Sequence, residues 1–146
     1  MKKLLHYLSI LTLVLLSGIA FTACGSDEPE IDPATTISGT YVGNGYLEIR
    51  GYTGQQKYPG MKMYVRKSSN EYVLLSPVEA DGTSFFEKNE MVFQITKTAS
   101  GDYVLQSSEY PEASVRITKA GHMDYEFPSV RIGSDTGTLK FSGEKQ

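Results

Sequence analysis

The chain has 146 residues, 17 acidic against 14 basic side chains, two histidines, one cysteine and no tryptophan, with a formal charge of −3. That length holds one domain, and a single cysteine allows no bridge within the chain, so the fold must rest on its own core. The acidic balance, with Lys62, Arg66 and Lys67 as the densest basic group, offers little to a phosphate backbone and excludes a nucleic-acid partner.

In chain order, Met1-Lys2-Lys3 gives a basic start. Leu8 to Leu16, broken only by Ser9 and Thr12, gives a short apolar run, and Ser17, Gly18, Ala20 and Ala23 supply small residues before Cys24. This is the layout of a secretory leader. Its rival is a permanent anchor over Leu4 to Ala23, which is just long enough to span a bilayer. His6 and Tyr7 dilute that apolar run. Phe21-Thr22-Ala23-Cys24 resembles the lipobox of bacterial lipoproteins, with phenylalanine where leucine is commoner. The resemblance implies cleavage before Cys24, removal of residues 1–23 and lipid on the Cys24 sulfur. The alternative is an ordinary cysteine behind a conventional signal peptide, a lone exposed thiol in an oxidising compartment. Loss of Lys2 and Lys3 with the leader takes the formal charge from −3 to about −5. Two or more acyl chains make such an attachment stable.

Residues 24–36, opening Cys24-Gly25-Ser26-Asp27-Glu28-Pro29-Glu30, read as an acidic flexible tether. The stretch is similar to the signal that sends lipoproteins of Bacteroidetes-type bacteria to the outer face of the outer membrane. The expected location is therefore the outer membrane, by lipid, with cell-surface display as the sharper form. A plain solvated linker is the simpler account of the same residues.

From residue 37 to 146 the period is two. Tyr41, Leu47 and Ile49 share one face, as do Met61, Met63 and Val65; Met91, Phe93 and Ile95; Tyr103 and Leu105; Ala113, Val115 and Ile117; Met123, Tyr125 and Phe127; and Leu139 and Phe141. Apolar residues alternating with polar ones mark antiparallel strands with one wet face. Ser68-Ser69-Asn70, Asp81-Gly82, Ser100-Gly101-Asp102, Ala120-Gly121 and Ser134-Asp135-Thr136-Gly137 supply the reversals. No helix is expected beyond one turn at Phe85-Phe86-Glu87-Lys88. The spacing predicts an all-β domain, a small antiparallel meander barrel of about eight strands, with a β-sandwich as the alternative. Gly43 and Gly45 favour the barrel by permitting sharp coiling.

Gly39-Thr40-Tyr41-Val42-Gly43 at the start and Gly137-Thr138-Leu139-Lys140-Phe141-Ser142-Gly143 at the close resemble the calycin-like (lipocalin-like) domains of small Bacteroidetes lipoproteins. The resemblance implies a cell-envelope role and no particular ligand. True lipocalins carry tryptophan where this chain has Tyr41.

Catalytic signals are weak. Asp135-Thr136-Gly137 matches the aspartic-protease triplet, but that chemistry needs two carboxylates sharing a proton, and the triplet reads as a hairpin turn. His122, the only histidine past the leader, has Asp124 two residues on, and Asp124 and Glu126 share a strand face, a spacing any wet strand produces. Gly43-Asn44-Gly45 lacks the lysine and helix of a phosphate loop. No catalytic residue, metal ligand or cofactor is expected; a hydrolase would require His122 beside a hydroxyl or paired acids in a cleft. Tyrosines give the better hint. Tyr46 and Tyr64 are expected on polar strand faces and Tyr52 and Tyr58 in the loop Gly51 to Gly60, where flat amphipathic rings suit recognition. The expected role is a non-catalytic binding or interaction module for a small molecule, glycan or envelope protein, with an accessory subunit of an envelope complex as the rival.

Overall fold

The computed structural model describes residues 31–86 and 90–146. Leader, Cys24 and residues 25–30 of the tether lie outside the described residues. So do residues 87–89, including half of the expected helical turn.

Eight strands follow one another as a meander: β1 (Gly39–Ile49), β2 (Gln56–Lys67), β3 (Tyr72–Val78), β4 (Met91–Lys97), β5 (Tyr103–Gln106), β6 (Ser114–Ile117), β7 (His122–Ile132) and β8 (Asp135–Lys145). Each pairs antiparallel with the next, and β8 returns to pair with β1, so the sheet is a closed barrel. Closure leaves no unpaired strand edge, which a sandwich would have had to protect separately. The barrel reading of the sequence therefore holds and the sandwich does not.

Inward residues from all eight strands fill the barrel. Tyr41, Met61, Met63, Val73, Leu75, Phe93, Met123 and Leu139 are each 0% exposed. A void able to hold water would leave accessible surface on its walls, so no such space lies against these side chains. The outer wall carries the charges instead, among them Arg66, Arg116, Asp124, Glu126 and Glu144. An apolar lumen inside a polar wall is the reverse of a membrane-spanning barrel.

Two bulges set which side chains face inward. In the β1–β2 ladder Gly43 pairs with Met61 and Asn44 with Pro59, so Gly60 is the extra residue. Its φ of +71° is natural only for glycine. The inserted residue inverts the alternation, and Tyr58, paired with Gly45, joins Met61 on the inner side. The expectation of a loop through Gly60 with Tyr58 on it is thus corrected: β2 already begins at Gln56. In the β7–β8 ladder the break falls between Phe127 and Val130, at Pro128, where the missing N–H of proline costs no ladder bond. The β7–β8 turn is the two-residue Gly133-Ser134, since Ile132 pairs with Asp135. Asp135-Thr136-Gly137 opens β8 and is not itself the turn.

One end of the barrel is stoppered by α1 (Pro33–Ile37). Asp32 caps it, accepting from the Thr35 amide at 2.9 Å, with proline in the first turn. Ala34 and Ile37 are buried in the core, and the Tyr41 hydroxyl donates to the Ile37 carbonyl at 2.8 Å. Lys67 Nζ lies 2.7 Å from Asp32 Oδ2, and Lys145 Nζ donates to the Thr36 carbonyl at 2.6 Å. Residues 32–36, expected to belong to a tether over 24–36, are instead the cap and body of this helix. Ala34 and Ile37 give the helix an apolar face that the barrel end buries.

At the opposite end, loop aromatics pack on the mouth. Phe85 meets Tyr58 edge-on at 4.8 Å between ring centres, while Phe86 and Tyr110 meet Phe127 at 5.3 and 5.2 Å. Both ends are covered.

Candidate functional site

With the interior filled, the open hollows lie on the outer surface. The four tyrosines singled out by sequence do not form one patch. Tyr58 turns inward against Phe85 and the core. Tyr64 pairs with Thr40 at the α1 end of β1, whereas Tyr46 pairs with Lys57, six residues further along that strand. Six strand steps separate them by about 20 Å. Tyr52 follows β1 at the end opposite α1 and is the most exposed of the four, at 67%.

Tyr52 borders a hollow of about 490 Å³ with Glu48, Arg50, Gln55, Thr136 and Thr138. The hollow exists because β1 and β8 reach their ends together here, with Arg50 N donating to the Thr136 carbonyl at 2.9 Å. Glu48 forms its floor charge. It accepts from Gln55 Nε2 and from Lys140 Nζ at 3.3 Å, and these bonds hold its carboxyl below the usual carboxylate range. Arg50 is exposed and makes no ion pair with any described residue. A free guanidinium beside an exposed phenol combines two of the residue types most enriched where one protein grips another. Tyr46, two residues before Glu48 on β1, lines a separate hollow of about 370 Å³ with Arg116, Asp124, Glu126, Lys140 and Ser142.

The sequence did not foresee how His122 is placed. β7 and β8 set His122 opposite Glu144 and Asp124 opposite Ser142. His122 Nδ1 is 2.6 Å from Glu144 Oε1, and Nε2 is 3.1 Å from Ser142 Oγ and 3.2 Å from Asp124 Oδ1. Hydroxyl, imidazole and carboxylate thus stand at the spacing of a nucleophile, its base and an orienting acid. Three features oppose that use. Ser142 Oγ donates its one proton to Asp124 Oδ1 at 2.9 Å. The Glu144 bond, then Asp124, raise the imidazole pKa against a smaller opposing desolvation, favouring the charged form, which cannot accept a proton. The surrounding backbone amides are spent on ladders, since β7 pairs with β6 and β8 while β8 pairs with β7 and β1. No amide pair is left to stabilise an oxyanion. His122 also lies outside the hollow that Asp124 and Ser142 help to line. Among the described residues no group of three histidine, cysteine or acidic side chains is placed to hold a metal ion.

Comparison with known proteins adds fold but no activity. No protein-family model matches the sequence, and no curated protein matches it. Among solved structures the barrel is similar to a "putative outer membrane protein" from Bacteroides fragilis, with a TM-score of 0.51 and 13% identity over 79% of this chain. This chain spans about half of that protein, 53% of its length. At that identity the likeness is one of fold alone.

Proposed function

We propose that this protein is a lipid-anchored component of the outer membrane that acts without catalysis, as a recognition module. The observation that carries the reading is a contrast. The lumen, where a barrel would carry a small ligand, is filled by buried side chains from all eight strands, whereas the Tyr52–Arg50 hollow stands open at the end opposite α1. A filled eight-stranded barrel leaves no room for a guest, which favours a partner met at the surface.

The outer wall is polar and cannot face lipid, so residence at a membrane calls for a separate anchor, and Cys24 in Phe21-Thr22-Ala23-Cys24 supplies one. The Bacteroides fragilis neighbour's outer-membrane description agrees with that location.

The test has two arms. Labelled palmitate should enter the wild-type chain and not Cys24→Ala; equal labelling of both removes the anchor. A photo-crosslinking residue at position 52 should give a discrete adduct in intact cells that the same residue at exposed position 120 does not give, and Arg50→Ala should weaken it. Identical patterns at 52 and 120 would remove the proposed face.

A further inference from the structure

A second hollow, of about 400 Å³, lies on the outer wall of β3, β4 and β5, away from the Tyr52 groove. It is built on one row of the sheet. Tyr72 pairs with Gln94, and Gln94 pairs with Gln106, so a phenol and two carboxamides stand side by side across three strands. At about 4.8 Å per strand step the row is about 10 Å long. Val92 at 43% exposure and Pro111 form an apolar edge, and Ser108 adds a hydroxyl. Among the described residues no acidic or basic side chain lines the hollow, in a chain where 21% of residues are charged.

The polar groups of this row are unspent. The side chains of Tyr72, Gln94, Gln106 and Ser108 make no hydrogen bond to any described residue. Each carboxamide offers two donors and an acceptor in one plane, a match for neighbouring hydroxyls on a ring. The Tyr72 ring, 38% exposed, offers a flat amphipathic face to the C–H side of such a ring. An ionised ligand would lose hydration here and meet no opposite charge. A peptide cannot add as a strand, because the closed barrel has no free edge.

We propose that the Tyr72–Gln94–Gln106 row is a binding site for an uncharged saccharide chain, with Tyr72 as the stacking platform and the two glutamines as the hydroxyl readers. The site is independent of the Tyr52 groove and stands whether or not that groove has a partner.

The full-length protein is titrated with maltohexaose, cellohexaose and mannohexaose, and with a hexamer of polygalacturonate and a heparin hexasaccharide as charged counterparts, by calorimetry and by the glutamine side-chain amide signals. At least one neutral hexamer should bind at millimolar concentration or below and shift the Gln94 and Gln106 signals, and the charged ones should not. Tyr72→Ala should weaken binding about tenfold, and Tyr72→Phe should keep it within about twofold, as stacking requires. Gln94→Ala and Gln106→Ala should each weaken it; all four substitutions are on the exposed wall and leave the core intact. Absence of binding by every neutral hexamer overturns the proposal. So does binding that persists in Tyr72→Ala with Gln94→Ala, or equal binding of the charged oligomers.

Discussion

Gly43 and Gly143 face each other across the seam where β8 returns to β1. A Cβ built on Gly43 would stand 2.0 Å from the Ser142 carbonyl oxygen and 2.4 Å from the Gly143 Cα. One built on Gly143 would meet Phe141 Cζ at 2.5 Å and the Val42 carbonyl oxygen at 2.7 Å. The barrel closes where two strands without side chains can approach.

Gly43→Ala should therefore destabilise the fold by about 3 kcal/mol or more, at the upper end of overpacking costs, because the obstructing atoms are backbone and cannot rotate away. Gly82→Ala is the contrast. Nothing lies within 4 Å of its Cβ, but its φ is +95°, so the cost should be about 1 kcal/mol, from backbone strain alone. Urea unfolding of both variants measures the order; equal losses would show that the seam is not tight.

The Tyr125 hydroxyl is buried in the barrel with no hydrogen-bond partner among the described residues. Desolvation drives its pKa far above the ordinary tyrosine value, so it should stay protonated in an ultraviolet titration that ionises exposed tyrosines. Tyr125→Phe removes an unsatisfied group and keeps the ring. Stability should hold or rise by about 1 kcal/mol. A loss of similar size would mean that the hydroxyl has a partner after all.

His122 makes stability depend on pH. Its pKa is raised in the fold, chiefly by Glu144 and then Asp124, so its contribution is full below the unfolded value near 6.5 and is lost as pH rises through the higher folded value. The facing charges are Glu144 on β8, Asp124 on β7 and Arg116 on β6, which pairs with Asp124 in register. Thermal midpoints should fall between pH 6 and 8, and Glu144→Gln should flatten that slope. An unchanged slope in the variant assigns the dependence to another group.

The same cluster should be inert as a nucleophile. A fluorophosphonate probe should leave the wild-type chain unlabelled, because the Ser142 proton goes to Asp124 and no oxyanion donors converge. Labelling that vanishes in Ser142→Ala would make the hydrolase reading the correct one.

At the α1 end, Asp32 is held near a pKa of about 2, first by Lys67 and then by the Thr35 amide and hydroxyl. A depressed carboxylate stabilises above its unfolded value near 3.8 and loses that contribution as pH falls through the folded value. Asp32→Ala should lower the thermal midpoint at pH 7 and shrink its drop between pH 4 and 2. Lys67→Ala should do the same more weakly, since the Thr35 bonds remain.

The sequence alone determined the local pattern. Alternation such as Met61-x-Met63-x-Val65 and Met123-x-Tyr125-x-Phe127 states which residues can be buried, and it does so within one strand. Strand count, meander order and the polar outer wall were legible for that reason. What tertiary structure decided is what depends on residues far apart. One inserted glycine, Gly60, reversed the face on which Tyr58 lies, and only its pairing against Asn44 and Gly43 reveals it. Residues 33–36 of α1 were read as tether because five residues are too few to show a helical period, and Ala34 and Ile37 become a buried face only when the barrel end is beneath them. Register also composed the Tyr72 row and the His122 cluster: Tyr72, Gln94 and Gln106 are separated by many residues in the chain and made neighbours by ladder bonds, as are His122 and Glu144. A strand's face is a property of the chain, but its neighbours are a property of the closed sheet.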